Sequence, residues 1–330
     1  MTRKAKGIGL LSGGLDSILA VKILQDQGLE LLGLTFVTPF FGENPGLAAG
    51  KSAGIAMRAV DIGEKHLRML RNPRYGYGSQ MNPCIDCHAL MLREAGAIME
   101  AEGADFLFTG EVVGQRPMSQ RRDAMRSVEK LSGYEGRVLR PLSAKLLPPT
   151  IPEMEGLVDR ERLGAIQGRG RKAQVALAEH YGVADYPQPG GGCVLTTESY
   201  AVRLRELLQR IPRASVHEVE LLKWGRNFLL PSGSWCIVGR RKEDNLGLEA
   251  LAAEGDVLLW ASGCKGPTAL LMGASFSPED LPAAAEILAA YSDAPAGEPV
   301  RVEWRGGGGG GGVMKALPTE KERFAQYMMV

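Results

Sequence analysis

Residues 12–17, Ser-Gly-Gly-Leu-Asp-Ser, combine the parts of an anion cradle with an acid. Gly13 and Gly14 let a ligand approach the backbone closely. Ser12 and Ser17 add hydroxyl donors. A helix starting here would aim unpaired N–H groups and its positive dipole end at an anion. The lysine of a Walker A loop is missing. Asp16 would repel a bare phosphate, a conflict that Mg²⁺ held between carboxylate and phosphate oxygens would remove. The competing role for Asp16 is simple capping of the helix.

The second group able to do chemistry is sulfur. Cys84 and Cys87 stand in a Cys-Ile-Asp-Cys-His run, and Cys193 follows three glycines at 190–192. CxxCH is the attachment motif of c-type haem, which requires export. A structural zinc site would want a second, similarly spaced ligand pair. Sulfur chemistry is the third reading. Pro83 suits a first helical turn, so Cys84 and Cys87 would sit at a helix N-terminus, where thiol pKa values fall. Cys236 and Cys264 lie far off in strand-like contexts and read as core.

These residues need a frame. Residues 7–11, 29–37, 55–62, 104–109 and 137–142 read as short buried strands, and 15–27 and 84–102 as helices, each stopped by a glycine. Strands separated by helices predict βαβ units and a doubly wound parallel five-stranded sheet, with ligands at the carboxyl ends of the strands. Gly110 and Glu111 then fall at an active-site edge, with Gln115, Arg116 and Gln120 as nucleotide or RNA candidates. Prolines at 141, 148, 149 and 152 break the pattern. Residues 160–172, with Arg160, Arg162, Arg169, Arg171 and Lys172, read as a basic helix suited to phosphates. The strands at 235–238 and 256–261 belong to a smaller C-terminal α+β module, and seven glycines at 306–312 read as a flexible linker. The predicted division is therefore 1–145, 146–205 (which completes the site with Cys193), 206–290, and a tail 291–330.

Lys plus Arg number 39 and Asp plus Glu 38 among 330 residues, so any nucleic-acid surface must be a local patch. The basic start at 1–6 meets no apolar core of signal-peptide length, and no run is long enough to span a membrane. A cytoplasmic location, with reduced thiols and no membrane partner, is the expectation.

With strand, loop and helix in this order, Ser12-Gly13-Gly14-Leu15-Asp16-Ser17 resembles the signature of the PP-loop ATP pyrophosphatases, which have a HUP-like fold. The resemblance, covering about residues 5–145, implies ATP cleaved between its α and β phosphates, Mg²⁺ on Asp16, and adenine against the backbone near Phe36, with the 12–17 loop and Gly110 around the nucleotide. Asn82-Pro83-Cys84-Ile85-Asp86-Cys87 and the later Gly-Gly-Gly-Cys193 are similar to the tRNA thiouridine-forming members of that family. Some of those use two cysteines, here Cys84 and Cys193, one as nucleophile and one carrying a persulfide. Others hold a [4Fe–4S] cluster on three cysteines, here Cys84, Cys87 and Cys193, and that scheme alone gives Cys87 a role. Residues 220–275, with Gly239, Arg240, Asp244, Asn245, Gly266 and Pro267, resemble the RNA-binding module of the NFACT family. The implied function is an ATP-dependent tRNA sulfurtransferase with a sulfur donor or carrier protein as partner. A small-molecule PP-loop ligase and a non-catalytic RNA-binding protein are the alternatives.

Overall fold

The computed structural model describes residues 4–186, 193–272, 277, 279–295, 297–306 and 308–329. The chain divides into two compact units, Met1–Thr197 and Glu198–Val330.

The first unit runs β1 (Lys6–Leu10), α1 (Leu15–Asp26), β2 (Glu30–Val37), α2 (Asn44–Ala53), β3 (Ala56–Asp61), α3 (Gly63–Arg71), α4 (Cys84–Ala101), β4 (Phe106–Thr109), α5 (Arg122–Ser132), β5 (Val138–Leu139), α6 (Ile151–Met154) and α7 (Lys172–His180). Its five strands are all parallel in the order β3-β2-β1-β4-β5, the predicted doubly wound sheet. Residues alternate across it. Phe106 and Phe108 join Leu15, Ile18 and Leu19 of α1 on one face, while Ile8, Leu34 and Leu107 join Leu92 and Met99 of α4 on the other. Each such fully buried side chain contributes about 1.5–3 kcal/mol. The chain turns to opposite sides after β1 and β4, so the switch-point crevice opens where residues 11–14 and 110–120 leave the sheet.

The segment after β5 packs within the first unit. Gly164 and Ile166 donate to the carbonyls of Pro141 and Leu142, Gly168 donates to that of Val113, and Val158, Leu163, Ala178 and Val183 lie in the core beside α1. The predicted basic helix at 160–172 is a 3-10 turn, Arg160–Arg162, then an irregular stretch that leads into α7. Its first two arginines serve the fold. Arg160 pairs with Glu153 and donates to the carbonyls of Ala144 and Leu147, and Arg162 pairs with Asp26.

The second unit contains α8 (Glu198–Arg210), α9 (Val216–Leu221), β6 (Arg226–Leu229), β7 (Trp235–Val238), α10 (Lys242–Leu251), β8 (Val257–Ser262), β9 (Thr268–Met272), α11 (Asp280–Ala290), β10 (Val300–Gly306) and β11 (Gly311–Ala316). The six strands are antiparallel in the order β11-β10-β8-β9-β7-β6. Phe228, Leu259 and Leu271 of the sheet pack with Ile287 and Leu288 of α11.

Gly306, Gly311 and Gly312 of the glycine run are strand residues of this sheet rather than linker. Gly306 closes β10, Gly311 and Gly312 open β11, and Trp304 faces Gly312 in register. A Cβ on Gly312 would lie 3.0 Å from the Trp304 indole nitrogen. The ring therefore lies against bare backbone, and composition misled because a neighbouring aromatic supplies the packing that glycine lacks. Gly307 lies outside the described residues.

Candidate functional site

The cradle forms as a strand–loop–helix turn. Gly13 has φ 91°, and a Cβ there would come within 2.5 Å of Pro45 at the start of α2. On the other flank, a Cβ on Gly110 would lie 2.5 Å from the backbone nitrogen of Ser17. These two glycines let the crossovers close on the first turn of α1. Ser12 is exposed, whereas Leu15 and Phe36 are core side chains. Ser17 is buried, and its hydroxyl donates to the Gly14 carbonyl at 2.7 Å.

Asp16 is the site's open valence. Its Oδ2 accepts a 2.9 Å hydrogen bond from Nε2 of Gln115, while its Oδ1 is buried with no partner. A buried, unsatisfied carboxylate oxygen beside a backbone cradle fits a hard cation.

Gln115 belongs to the connection after β4, which also reaches the cysteine turn. Glu111, 7% exposed, accepts from Nδ1 of His88 on α4 at 2.9 Å, from Thr109 at 3.1 Å, and from Nε of Arg140 at 3.0 Å. Arg140, at the end of β5, is itself buried and also pairs with Glu129. Burial pushes the Glu111 carboxyl up, but the Arg140 charge and His88 outweigh it and bring it down to about 2. Gln120 turns inward, its side chain accepting from the Arg116 amide and its carbonyl from that of Gly114, while Arg116 is exposed.

The three thiols come within electrostatic reach of one another at the start of α4. Pro83 is the N-cap and Cys84 the first helical residue. Asn82 Nδ2 donates to Cys84 Sγ at 3.2 Å, and buried Asp86 accepts from the amides of Arg74 and Tyr75, fixing the preceding loop. Cys87 Sγ lies 3.2 Å from Nε2 of His66, a fully buried ring flanked by Phe40 and Phe41. Burial lowers the His66 pKa to about 4, so the ring is neutral. For Cys87 the expected lowering of the thiol pKa is reversed. Burial first, then Cys193, Cys84 and Asp86, raise Cys87 well above its ordinary value. Burial raises Cys193 to about 11 against a backbone hydrogen bond from Leu195, with Cys84 adding to the rise. Desolvation outweighs the helix dipole here. Each thiol thus lies within electrostatic reach of the others.

Cys84, Cys87 and Cys193, the residues expected of a three-cysteine cluster, are thus neighbours at this turn. Among the described residues, no three His, Cys, Asp or Glu side chains are grouped to hold a metal, and Cys87 faces His66. Glycines 190–192 lie outside the described residues. His66 and His88 went unread in the sequence. His88 was visible only as the last letter of a haem-like motif, and nothing local marked His66.

The first unit is thus a doubly wound parallel α/β sheet with this cradle at its switch point, and an antiparallel module follows it. Residues 225–328 match the NFACT protein RNA binding domain family. The tRNA-specific 2-thiouridylase MnmA of Pelobacter propionicus is 30% identical over 115 residues, 30% of this chain and 31% of that protein. The chain thus matches about a third of the length of this relative. Two solved structures show distant likeness. A predicted subunit of tRNA methyltransferase from Methanocaldococcus jannaschii has a TM-score of 0.35 at 16% identity, over 53% of this chain and 76% of that one. The C-terminal part of the fibronectin/fibrinogen-binding protein from Streptococcus suis has a TM-score of 0.29 at 15% identity, over 74% and 94%.

Proposed function

We propose that the chain is an ATP-dependent RNA sulfurtransferase that adenylates a carbonyl of a tRNA uridine and replaces its oxygen with sulfur, releasing AMP and pyrophosphate. One observation carries this reading. The connection after β4 holds Asp16 through Gln115 and holds the cysteine turn through Glu111 and His88. A two-step reaction needs its activating and sulfur groups together, so that the adenylate meets sulfur before water. The likeness to a thiouridylase and the match to an RNA-binding domain support the substrate class.

In this reading Ser12, Gly13 and Gly14 would hold the ATP phosphates, and the open oxygen of Asp16 would hold Mg²⁺. The metal supplies charge neutralisation for the pyrophosphate leaving group. The uridine carbonyl oxygen attacks the α-phosphorus, the α–β bond breaks, and pyrophosphate departs. The terminal sulfur of a persulfide on Cys84 or Cys193 then attacks the activated carbon, and AMP leaves with the oxygen. The other thiol attacks the cysteine sulfur of the resulting mixed disulfide, leaving sulfur on the base and a disulfide that a reductant reopens. A donor or carrier protein delivers the next sulfur. Cys87, hydrogen-bonded to His66, takes no part in this exchange.

The test combines the full chain, ATP, unmodified tRNA and a persulfide donor, following pyrophosphate and the digested nucleosides by mass spectrometry. The expected result is RNA-dependent pyrophosphate release with a thiolated uridine, lost in Cys84→Ser and Cys193→Ser. Pyrophosphate release driven by a metabolite, with no thiolated nucleoside, would overturn the reading in favour of a small-molecule ligase.

A further inference from the structure

Residues 72–83 join α3 to the cysteine turn, and their surface is aromatic and basic. Tyr75 and Tyr77 are 45% and 40% exposed, and among the described residues no other Phe, Tyr or Trp side chain is exposed. Exposed cations flank them in sequence: Arg68 and Arg71 in the last turn of α3, and Arg74 in the loop. Phe106 and Phe108 show the usual place of such rings in this unit, inside the core. Two rings left in water forgo the burial that stabilises the others.

The loop is folded onto the cysteine turn. Buried Asp86, between Cys84 and Cys87 in sequence, accepts the Arg74 amide on one carboxylate oxygen at 2.7 Å and the Tyr75 amide on the other at 3.0 Å. The Tyr77 hydroxyl donates to the Leu70 carbonyl at 2.7 Å, which anchors that ring at the end of α3. Gly78 donates to the Asn82 carbonyl, and a Cβ on Gly78 would lie 2.4 Å from Asn82 Nδ2. Asn82 Oδ1 accepts from the Gln80 amide at 3.1 Å, while its Nδ2 donates to Cys84 Sγ at 3.2 Å. One side chain thus ties the loop to the Cys84 sulfur. The two tyrosines are carried by a preorganised loop, so little ordering would be needed to bind against them.

Planar faces in water, flanked by cations, suit an unpaired nucleobase. Any base can stack on a tyrosine, and arginine tracks the phosphates. A base inside a helix has its faces covered by neighbours, so such a surface selects nucleotides already out of the stack. The chemistry makes the same demand, because an enzyme that attacks a base must reach it outside the duplex. We infer that Tyr75 and Tyr77 form a stacking platform for unpaired bases of the RNA substrate, with Arg74 on its backbone, beside the sulfur of Cys84. This inference rests on the RNA reading above.

The experiment measures binding of the full chain to an unmodified tRNA transcript and to a single-stranded oligouridine, across a potassium chloride series. Tyr75→Ala and Tyr77→Ala should each weaken binding by about 5–150-fold, the loss of one stacked base. The slope of log affinity against log salt should keep its wild-type value in both, since no charge is removed. Tyr75→Phe keeps the ring and should bind as the wild type does. Arg74→Gln should instead reduce the slope by about 0.7, one single-strand phosphate contact. A 5-bromouridine oligonucleotide, irradiated on the protein, should become attached to the peptide that holds Tyr75 and Tyr77. A purely structural role for the rings would give no such adduct. Far-UV circular dichroism checks that each variant is folded. Wild-type affinity in both alanine variants, with no adduct in this loop, overturns the platform and leaves the RNA reading standing. No RNA binding by the wild-type chain overturns both.

Discussion

Nε2 of Gln115 donates to Oδ2 of Asp16 at 2.9 Å across 99 residues of sequence, and the other oxygen of that carboxylate is buried and free. One oxygen is oriented by the protein and one is left for a ligand. If Asp16 holds the metal of a nucleotide, Gln115 is the residue that aims it. Gln115→Ala should lower ATP–pyrophosphate exchange by about 10–100-fold, the usual effect of losing a group that orients a metal ligand. The unfolding midpoint should hardly move, because Gln115 is only half-buried. Exchange at wild-type rates in that variant would remove the aiming role.

The Glu111–Arg140 pair makes a prediction about stability. Arg140 is 3% exposed and makes ion pairs with Glu111 and Glu129. Breaking a buried pair from one side leaves a bare charge and costs about 3–5 kcal/mol. Glu111→Gln should destabilise the first unit by that order, measured by urea unfolding at neutral pH. The acid limb gives the sign. The folded carboxyl lies at about 2, below the unfolded value of roughly 4.3. Its contribution is therefore complete above the unfolded value and disappears as pH falls toward 2. Glu111→Gln should lose this part of the acid dependence.

The reach of sequence reasoning follows the range of each signal. Strand positions and the cradle depend on local apolar runs and glycine stops, so β1, α1 and α4 were placed within a residue or two. The partners of the site side chains are set by chain segments far apart. Gln115 was a candidate with no known target, and Glu111 a candidate with no known histidine. His66 meets Cys87 through a fold contact that no spacing encodes. The glycine run failed for a related reason, since composition cannot reveal an indole across a hairpin.

That hairpin is open to a direct check. Gly312→Val would drive its Cβ into the Trp304 ring, at about the 3.0 Å approach already present. Overpacking of this kind costs about 1–3 kcal/mol. The second unit should lose stability by that amount, and Trp304→Ala in the same chain should relieve part of the clash. Additive losses in the double variant would mean that the indole and the glycine do not constrain each other.

Cys193 supplies the last prediction, one about reactivity. Burial raises its pKa to about 11, so at neutral pH it is a protonated thiol. Only the thiolate attacks an alkylating agent. Iodoacetamide labelling of Cys193, followed by peptide mass spectrometry, should be slow at pH 7 and rise about tenfold per pH unit toward 11. A thiol this reluctant to ionise is poorly suited to attack as it stands, and it suits a sulfur carrier loaded by a donor. Pre-loading with a persulfide donor should therefore protect Cys193 from labelling as a thiol and allow a single turnover of thiolation without further sulfur. Fast labelling of Cys193 at pH 7 would instead make it a nucleophile, and the carrier would then have to be Cys84.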